Sequence, residues 1–497
     1  MIHIDKQPEI LLIYPPYLAK YKNPPLGLAY LGSYLEKNGY SVKILDMDPL
    51  GLNFNDIEKI IKDKKPRIVG VSFMTNQFGN AIKISNIVKK VDPKISFVMG
   101  GNHATALPEE LLNFSTIDFV IYGEGEISFL KLVDNIYKEN IDYTSIKGLA
   151  FKDGGKIIIN EPSPLIPDLD ILPVPLWRDF PVHAYSEMIM GEKSELPAFS
   201  VMATRGCPAK CAFCSSHTVF TRTFRNRSPQ HILSELLSLK ENFGAKHINF
   251  VDDTFTINKK VIFEFCELLI SGRYNFKWIA NARVNSITLE LLEIMKEAGC
   301  VNINFGVESG DPLVRKNIDK GISSQQIINA HSWAKKVGMI VSTYFMVGNK
   351  DEDWKSIEMT INLSKELKSD HPSCSIATPF PDTPMYYEFE KNGWIKVRDW
   401  DRYYTTPHLI HDYEPTCITN KMNQKEILSA YYYVNAEFAK IKLVTKYGKN
   451  YLFNSKFYKK EIFTRVMQQG VWGFTKLMHK LLKGFFKNVW NLRPIQS

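Results

Sequence analysis

Between residues 9 and 140, short apolar runs alternate with longer amphipathic stretches. The runs are "EILLIY" (9–14), "SVKILD" (41–46), "RIVGVSF" (67–73), "ISFVMG" (95–100) and "DFVIYG" (118–123). Helical patterns such as "LGLAYLGSYLEKNGY" and "GNAIKISNIVKKV" lie between them. Near-continuous apolar strands separated by helices predict a parallel sheet covered on both faces. Five such units predict a doubly wound domain whose ligand lies outside the carboxyl ends of the strands. Those ends read "YPPYLAKYKNPPLG", "SFMTNQ", "GGNHAT" and "YGEGE" after the first, third, fourth and fifth runs. Glycine lets a backbone approach a ligand closely, although tight turns need it too. Four such ends on one rim point to a bound cofactor.

"GLAFKDGGKIIIN" (148–160) reads as a hairpin turning at Asp153-Gly154-Gly155. A proline-rich stretch, 162–175, follows as a semi-rigid linker. A second alternation begins near Phe199, with strand candidates "AFSVMA", "HINFVD", "FKWIAN", "VNINFG", "MIVSTYFMVG" and "SCSIAT". Helices are expected at about 229–242, 258–270, 287–298, 324–337, 353–367 and 384–391. Six βα units predict a partial or full parallel barrel with its site at the strands' carboxyl ends. Beyond about 400 the alternation stops, and the remainder reads as helical, aromatic and basic. The expected division is therefore 1–150, a hairpin and linker at 151–195, a barrel at 196–395 and a C-terminal region at 396–497.

Composition narrows the class. The chain has 497 residues, 44% hydrophobic and 23% charged, as in a globular protein with a real core. Its start reads as no secretory signal, and no apolar stretch is long enough to span a membrane. Seven cysteines in so long a chain are no disulfide framework, so a cytoplasmic setting is expected. The net charge of +9 sits in the tail: from Lys421 onward 15 Lys/Arg face three Glu, a local +12, leaving about −3 elsewhere.

Chemistry concentrates in "TRGCPAKCAFCSS" (204–216), where Cys207, Cys211 and Cys214 follow the first strand of the second series. Closely spaced cysteines on a loop in a reducing compartment read as metal-binding. Structural zinc wants four ligands, and His217 could supply a fourth. Iron–sulfur clusters are also held by thiolates, and three protein ligands would leave one iron open.

The spacing resembles that of the radical S-adenosylmethionine (SAM) superfamily. "FRNRSPQHILSEL", "FVDDTFT", "NARVN", "NFGVESG", "YFMVG" and "TPFPDTPMY" follow in the order that family shows, so the resemblance covers about 196–390. It implies a (β/α)6 partial TIM barrel in which the three cysteines hold a 4Fe-4S cluster whose fourth iron binds SAM. By position it implies Phe213 near adenine, Asp252 and Asp253 at the SAM amino group, Arg283 and Glu308 at its carboxylate and ribose, and Gly348 beside adenine. Read without the resemblance, Arg283 and Glu308 could form an internal ion pair, and Asp252 and Asp253 could cap the next helix. At "PFPDTP" Asp382 stands where relatives usually carry glycine, which questions a close backbone approach there.

Residues 8–150, with "PPLGLAYLGSYLEKNGYSVKILD", "GGNHAT" and "DFVIYGEGE", resemble the Rossmann-like, flavodoxin-type domain of cobalamin-binding radical SAM enzymes. That resemblance implies cobalamin against Tyr14, Pro15, Ser72, Thr75, Gly100, Gly101, His103, Gly123, Glu124 and Gly125. Many cobalamin modules carry a cobalt-binding histidine after the first strand; here "YPPYLAKYK" has none. His103 is the nearest candidate, and it reads also as a loop histidine bonded to backbone or to a cofactor edge. Cys266, Cys300, Cys374 and Cys417 are isolated on apolar patterns and read as core. With no cysteine before Cys207, a second N-terminal cluster is not expected.

The implied activity is methyl transfer to an unactivated carbon through a 5′-deoxyadenosyl radical and methylcobalamin. A non-methylating oxidative cyclase of a tetrapyrrole, a ring-rearranging enzyme, and a cobalamin- or redox-sensing binding protein are the alternatives. The implied partners are a small-molecule or lipid-like substrate and a one-electron donor such as flavodoxin or ferredoxin. In the tail, "VWGFTKLMHKLLKGFFKNVW" (471–490) puts Phe474, Met478, Leu481, Phe485 and Val489 on one face and lysines on the other. It reads either as a helix packed on the barrel or as an interfacial helix on a membrane. Nucleic-acid binding is not expected, since no recognised module accompanies the charge.

Overall fold

The structure is a computed structural model that describes residues 8–18, 23–138, 142–185 and 197–448. The first five apolar runs form β1 (Ile10–Tyr14), β2 (Val42–Asp46), β3 (Ile68–Ser72), β4 (Ser96–Gly100) and β5 (Phe119–Ile121). They are parallel, and their order, β2-β1-β3-β4-β5, is the doubly wound one. All five residues of β1 are buried, as expected of a strand covered on both faces. Local signals set the helices between them. Helix Phe54–Lys64 begins on a capping box, with Asn53 accepting from Asn55 and Asp56 and Asp56 reaching back.

The hairpin forms as β6 (Leu149–Asp153) and β7 (Lys156–Ile159). It does more than link: β6 pairs antiparallel with β5, so the sheet grows to seven strands.

The second series gives β8 (Ala198–Val201), a two-residue β9 (Thr204–Arg205) and β10 (Arg225–Asn226), then β11 (His247–Phe250), β12 (Lys277–Ala282), β13 (Cys300–Glu308), β14 (Ile340–Val347) and β15 (His371–Ile376). Six of these form one parallel sheet in the order β15-β14-β13-β12-β11-β8, an open barrel whose end strands do not pair. Between the sheet and its helices lies an aromatic core of Phe250, Phe255, Phe265 and Trp278, all fully buried, with ring centroids 4.5–6.4 Å apart. Each such ring contributes roughly 1.5–3 kcal/mol by leaving water. β9 and β10 form their own antiparallel ladder and close the cysteine loop at its base.

Both sheets belong to one compact unit that ends at Asn435; a second begins at Ala436. The C-terminal region is helical at Gln424–Tyr447. The predicted helix at 471–490 lies outside the described residues. Among those described, no helix is long and apolar enough to cross a membrane.

Candidate active site

Gly206 makes the cysteine loop possible. Its φ is 82°, and a Cβ there would strike the Thr223 carbonyl across the β9–β10 ladder. Beyond it the chain is pinned to the barrel by two backbone bonds, Ala212 N–H to Ile318 O and Met385 N–H to Ala212 O, each 2.9 Å. Cys207, Cys211 and Cys214 thereby face one cavity of about 320 Å³ at the carboxyl ends of the barrel strands, with Phe213, Asp252, Asp253, Arg283 and Glu308 in the same wall.

Arg283 donates from Nη1 to Cys211 Sγ at 3.3 Å and from Nη2 to the Lys320 carbonyl. It makes no pair with Glu308, which instead holds Lys320 at 2.7 Å. Glu308 closes β13 at φ 69°, after a register slip opposite β14 that turns its carboxylate inward. Asp252 is fully buried and accepts from the Thr204 N–H and hydroxyl; burial raises its carboxyl to about 6. Asp253, also raised by burial, accepts from Ser216. Neither caps the next helix, because Asn258 does so.

Gly348 is not in this wall. Its φ of 88° serves a different neighbour: a Cβ there would come within 3.0 Å of Ile427. His217 is in the wall, but both ring nitrogens face carbonyls, of Cys214 at 2.8 Å and Asp382 at 3.1 Å, so it is not aimed at the cysteines as a zinc ligand. Asp382 keeps the left-handed backbone that glycine would give, at φ 63°, and its carbonyl reaches the loop through His217. The four scattered cysteines are buried, and burial pushes the thiols of Cys266 and Cys417 up to about 12. Sequence reasoning missed Lys320, Asn281, Asn304 and Tyr344, all of which line the cavity. The two asparagines carried a signal, since they alternate with apolar residues on neighbouring strands. They pair at 2.9 Å across β12 and β13, and the buried Asn304 Oδ1 has no partner.

A second cavity, about 350 Å³, lies at the carboxyl rim of the N-terminal sheet. Tyr14, Ser72, Gly101, Gly123, Glu124 and Gly125 line it. Gly100 lies on a small apolar annex beside it. Pro15, Thr75 and His103 are outside both. Pro15 gives its carbonyl to Gln77, and Thr75 faces His103 Nδ1 at 3.3 Å. His103 is fully buried among Phe73, Phe78 and Trp400, and burial lowers its pKa to about 4. Glu124 lines the cavity, yet its carboxylate is taken by Arg205 at 3.1 Å, Arg225 at 2.8 Å and the Ile166 N–H. Ser216 and Asp253 line this cavity and the cysteine cavity alike.

Residues 18–133 match the family described as "B12 binding domain" and residues 201–364 that described as "Radical SAM superfamily". The chain is 36% identical over 404 residues to "Uncharacterized methyltransferase PH0819" of Pyrococcus horikoshii, covering 80% of this chain and 86% of that one. It is 29% identical to the anaerobic magnesium-protoporphyrin IX monomethyl ester cyclase of Rubrivivax gelatinosus, over 78% of this chain and 70% of the cyclase. Among solved structures, the cobalamin-dependent SAM radical enzyme OxsB superposes with a TM-score of 0.69 at 17% identity, over 97% of this chain and 80% of its own. An open parallel barrel with a three-cysteine loop defines the class, a radical SAM enzyme. Within that class, the chain belongs to the family that carries an N-terminal B12-binding domain.

The cofactors of the family are SAM, a 4Fe-4S cluster and cobalamin, and the residues fit them. Three thiols on one loop, with a guanidinium donating to one sulfur, suit a thiolate-held cluster. Among the described residues no three His, Cys, Asp or Glu converge on a single-ion site. In the second cavity, Gly27 and Gly123 each have open space where a Cβ would stand, so their bare backbone leaves room for a broad ring.

Proposed function

We propose that the chain is a cobalamin-dependent methyltransferase acting on an unactivated carbon of a small or lipid-like substrate. The observation that carries this reading is the shared wall: Ser216 and Asp253 border both cavities, so groups held in each would face one reaction space. When bound, the three cofactors supply reductive cleavage of SAM and a transferable methyl group. In this reading Cys207, Cys211 and Cys214 hold the cluster. Arg283 steadies thiolate charge on Cys211 through its 3.3 Å donor bond. Asp252 and Asp253 accept from the SAM amino group, Phe213 lies along adenine, and Glu308, fixed by Lys320, receives the ribose hydroxyls. The rim of Ser72, Gly101, Gly123 and Gly125 cradles cobalamin. His103 is buried away from that cavity, so it would not be placed to ligate cobalt there.

The Pyrococcus relative, named a methyltransferase, supports methyl transfer, and the Rubrivivax relative keeps ring formation on a tetrapyrrole as the second reading. Anaerobic reconstitution with iron, sulfide and hydroxocobalamin, then assay against fractionated lipid and polar extracts, separates them. Methyl transfer yields S-adenosylhomocysteine as well as 5′-deoxyadenosine. Turnover that releases 5′-deoxyadenosine without S-adenosylhomocysteine rejects methylation.

A further inference from the structure

Reductive SAM cleavage needs one electron from outside the chain, and a groove beside the cysteine loop offers a place for it to enter. This open groove of about 380 Å³ is lined by Lys210, Arg283, Lys316, Asp319 and Lys320. Arg283 and Lys320 belong to its wall and to that of the cysteine cavity. The groove is therefore one side chain away from the Cys211 sulfur, through the 3.3 Å bond from Arg283.

We propose that this groove is the docking site of an acidic one-electron carrier protein of the flavodoxin or ferredoxin kind. Its charges divide into two sets. Arg283 and Lys320 are occupied, by Cys211 and by Glu308. Lys210 and Lys316 are exposed, and neither pairs with an acid among the described residues; the only acid in the groove is Asp319. A small anion would need buried donors converging on it, and exposed ammonium groups are individually weak and screened. The same two charges suit the steering of a large acidic partner, whose field extends about a Debye length. Leu313 stands one turn before Lys316 on helix Pro312–Asn317 and is 55% exposed, an apolar contact beside the charges. This is the mix of an apolar centre and a charged rim found in protein interfaces. One electron leaves the reduced carrier, which is oxidised by one equivalent. It is consumed in breaking the sulfur–C5′ bond of SAM to give methionine and a 5′-deoxyadenosyl radical.

The inference rests on reductive SAM cleavage, not on methyl transfer, so the cyclase reading would leave it standing. The test compares two reductants on the reconstituted enzyme, reduced flavodoxin and dithionite, and measures flavodoxin binding separately by interferometry. Lys210→Glu/Lys316→Glu is expected to raise both KM and Kd for flavodoxin by about tenfold or more, with the wild-type rate falling as salt rises. Dithionite-driven cleavage should be unchanged, because a small reductant needs no docking surface. Lys316→Glu alone, outside the cysteine loop, should move KM and Kd the same way by less. Unchanged binding and KM in the double variant would overturn the proposal. So would an equal loss with both reductants, which would mean that the lysines act on the site itself.

Discussion

Glu352 illustrates what a single buried side chain can set. It is fully buried and accepts from the Gly348 N–H at 2.6 Å and the Asn349 N–H at 3.1 Å, while its other oxygen has no partner. Burial raises its carboxyl from an ordinary 4.5 to about 7, the two N–H bonds offsetting only part of the cost. A raised pKa means that the folded chain holds this proton more tightly than the unfolded chain does. The stability it contributes is complete below about pH 4.5 and is lost as pH rises through about 7, a span worth about 3 kcal/mol. Glu352→Gln keeps an acceptor for Gly348 and cannot ionise. The difference in unfolding free energy, variant minus wild type, should therefore grow by a few kcal/mol between pH 5 and pH 8 in urea titrations. Identical pH slopes in the two proteins would refute the assignment. Nothing in the local sequence announced this residue. The glycine at 348 was legible, but its cause is Ile427, almost eighty positions away. His103 was legible as a candidate, but Trp400, which helps to bury it, comes from the C-terminal region.

At the scale of elements, the β9–β10 ladder does the joining. Arg205 and Arg225 reach the "GEGE" turn of the N-terminal sheet, where Arg205 meets Glu126 at 2.6 Å and Glu124 at 3.1 Å, and Arg225 meets Glu124 at 2.8 Å. All four side chains are at most 8% exposed. Burial alone would lower the Arg205 pKa, but Glu126 and Glu124 hold the guanidinium charged. Removing one member of such a cluster strands a buried charge, so Arg205→Met should cost about 3–5 kcal/mol. Adding Glu126→Leu should return at least about 1 kcal/mol, since the stranded carboxylate goes with it. Strict additivity in that cycle would show that the pair is not coupled. The five strands of the first parallel series were legible because each is a near-continuous apolar run, and the six of the second because apolar residues recur along them between helical patterns. The two-residue strands were not, since neither periodicity nor apolar content can mark so short a segment. The hairpin was legible as a hairpin, but its pairing with β5 was not, because edge pairing is a tertiary choice.

The whole molecule sets two cavities against each other inside one compact unit, which raises the question of whether either can be emptied alone. The second cavity draws most of its wall from the N-terminal sheet and its helices, with Met202, Arg205, Ser216, Val219, Phe220 and Asp253 coming from the barrel side. None of the three loop cysteines is in it. Replacing Cys207, Cys211 and Cys214 with serine should therefore remove iron and SAM cleavage while cobalamin binds with a Kd within about threefold of wild type. The reciprocal variant is Gly27→Leu. Gly27 lies in the first turn of helix Leu26–Lys37, where leucine is favoured over glycine by nearly 1 kcal/mol, and its Cβ would enter open space in the cavity wall. That chain should melt no lower than wild type, load iron normally and lose cobalamin binding by about tenfold or more. If instead the serine variant also lost cobalamin, the shared wall at Ser216 and Asp253 would have to be a joint between the sites. The loop would then have to be held in place by the cluster for the second cavity to exist.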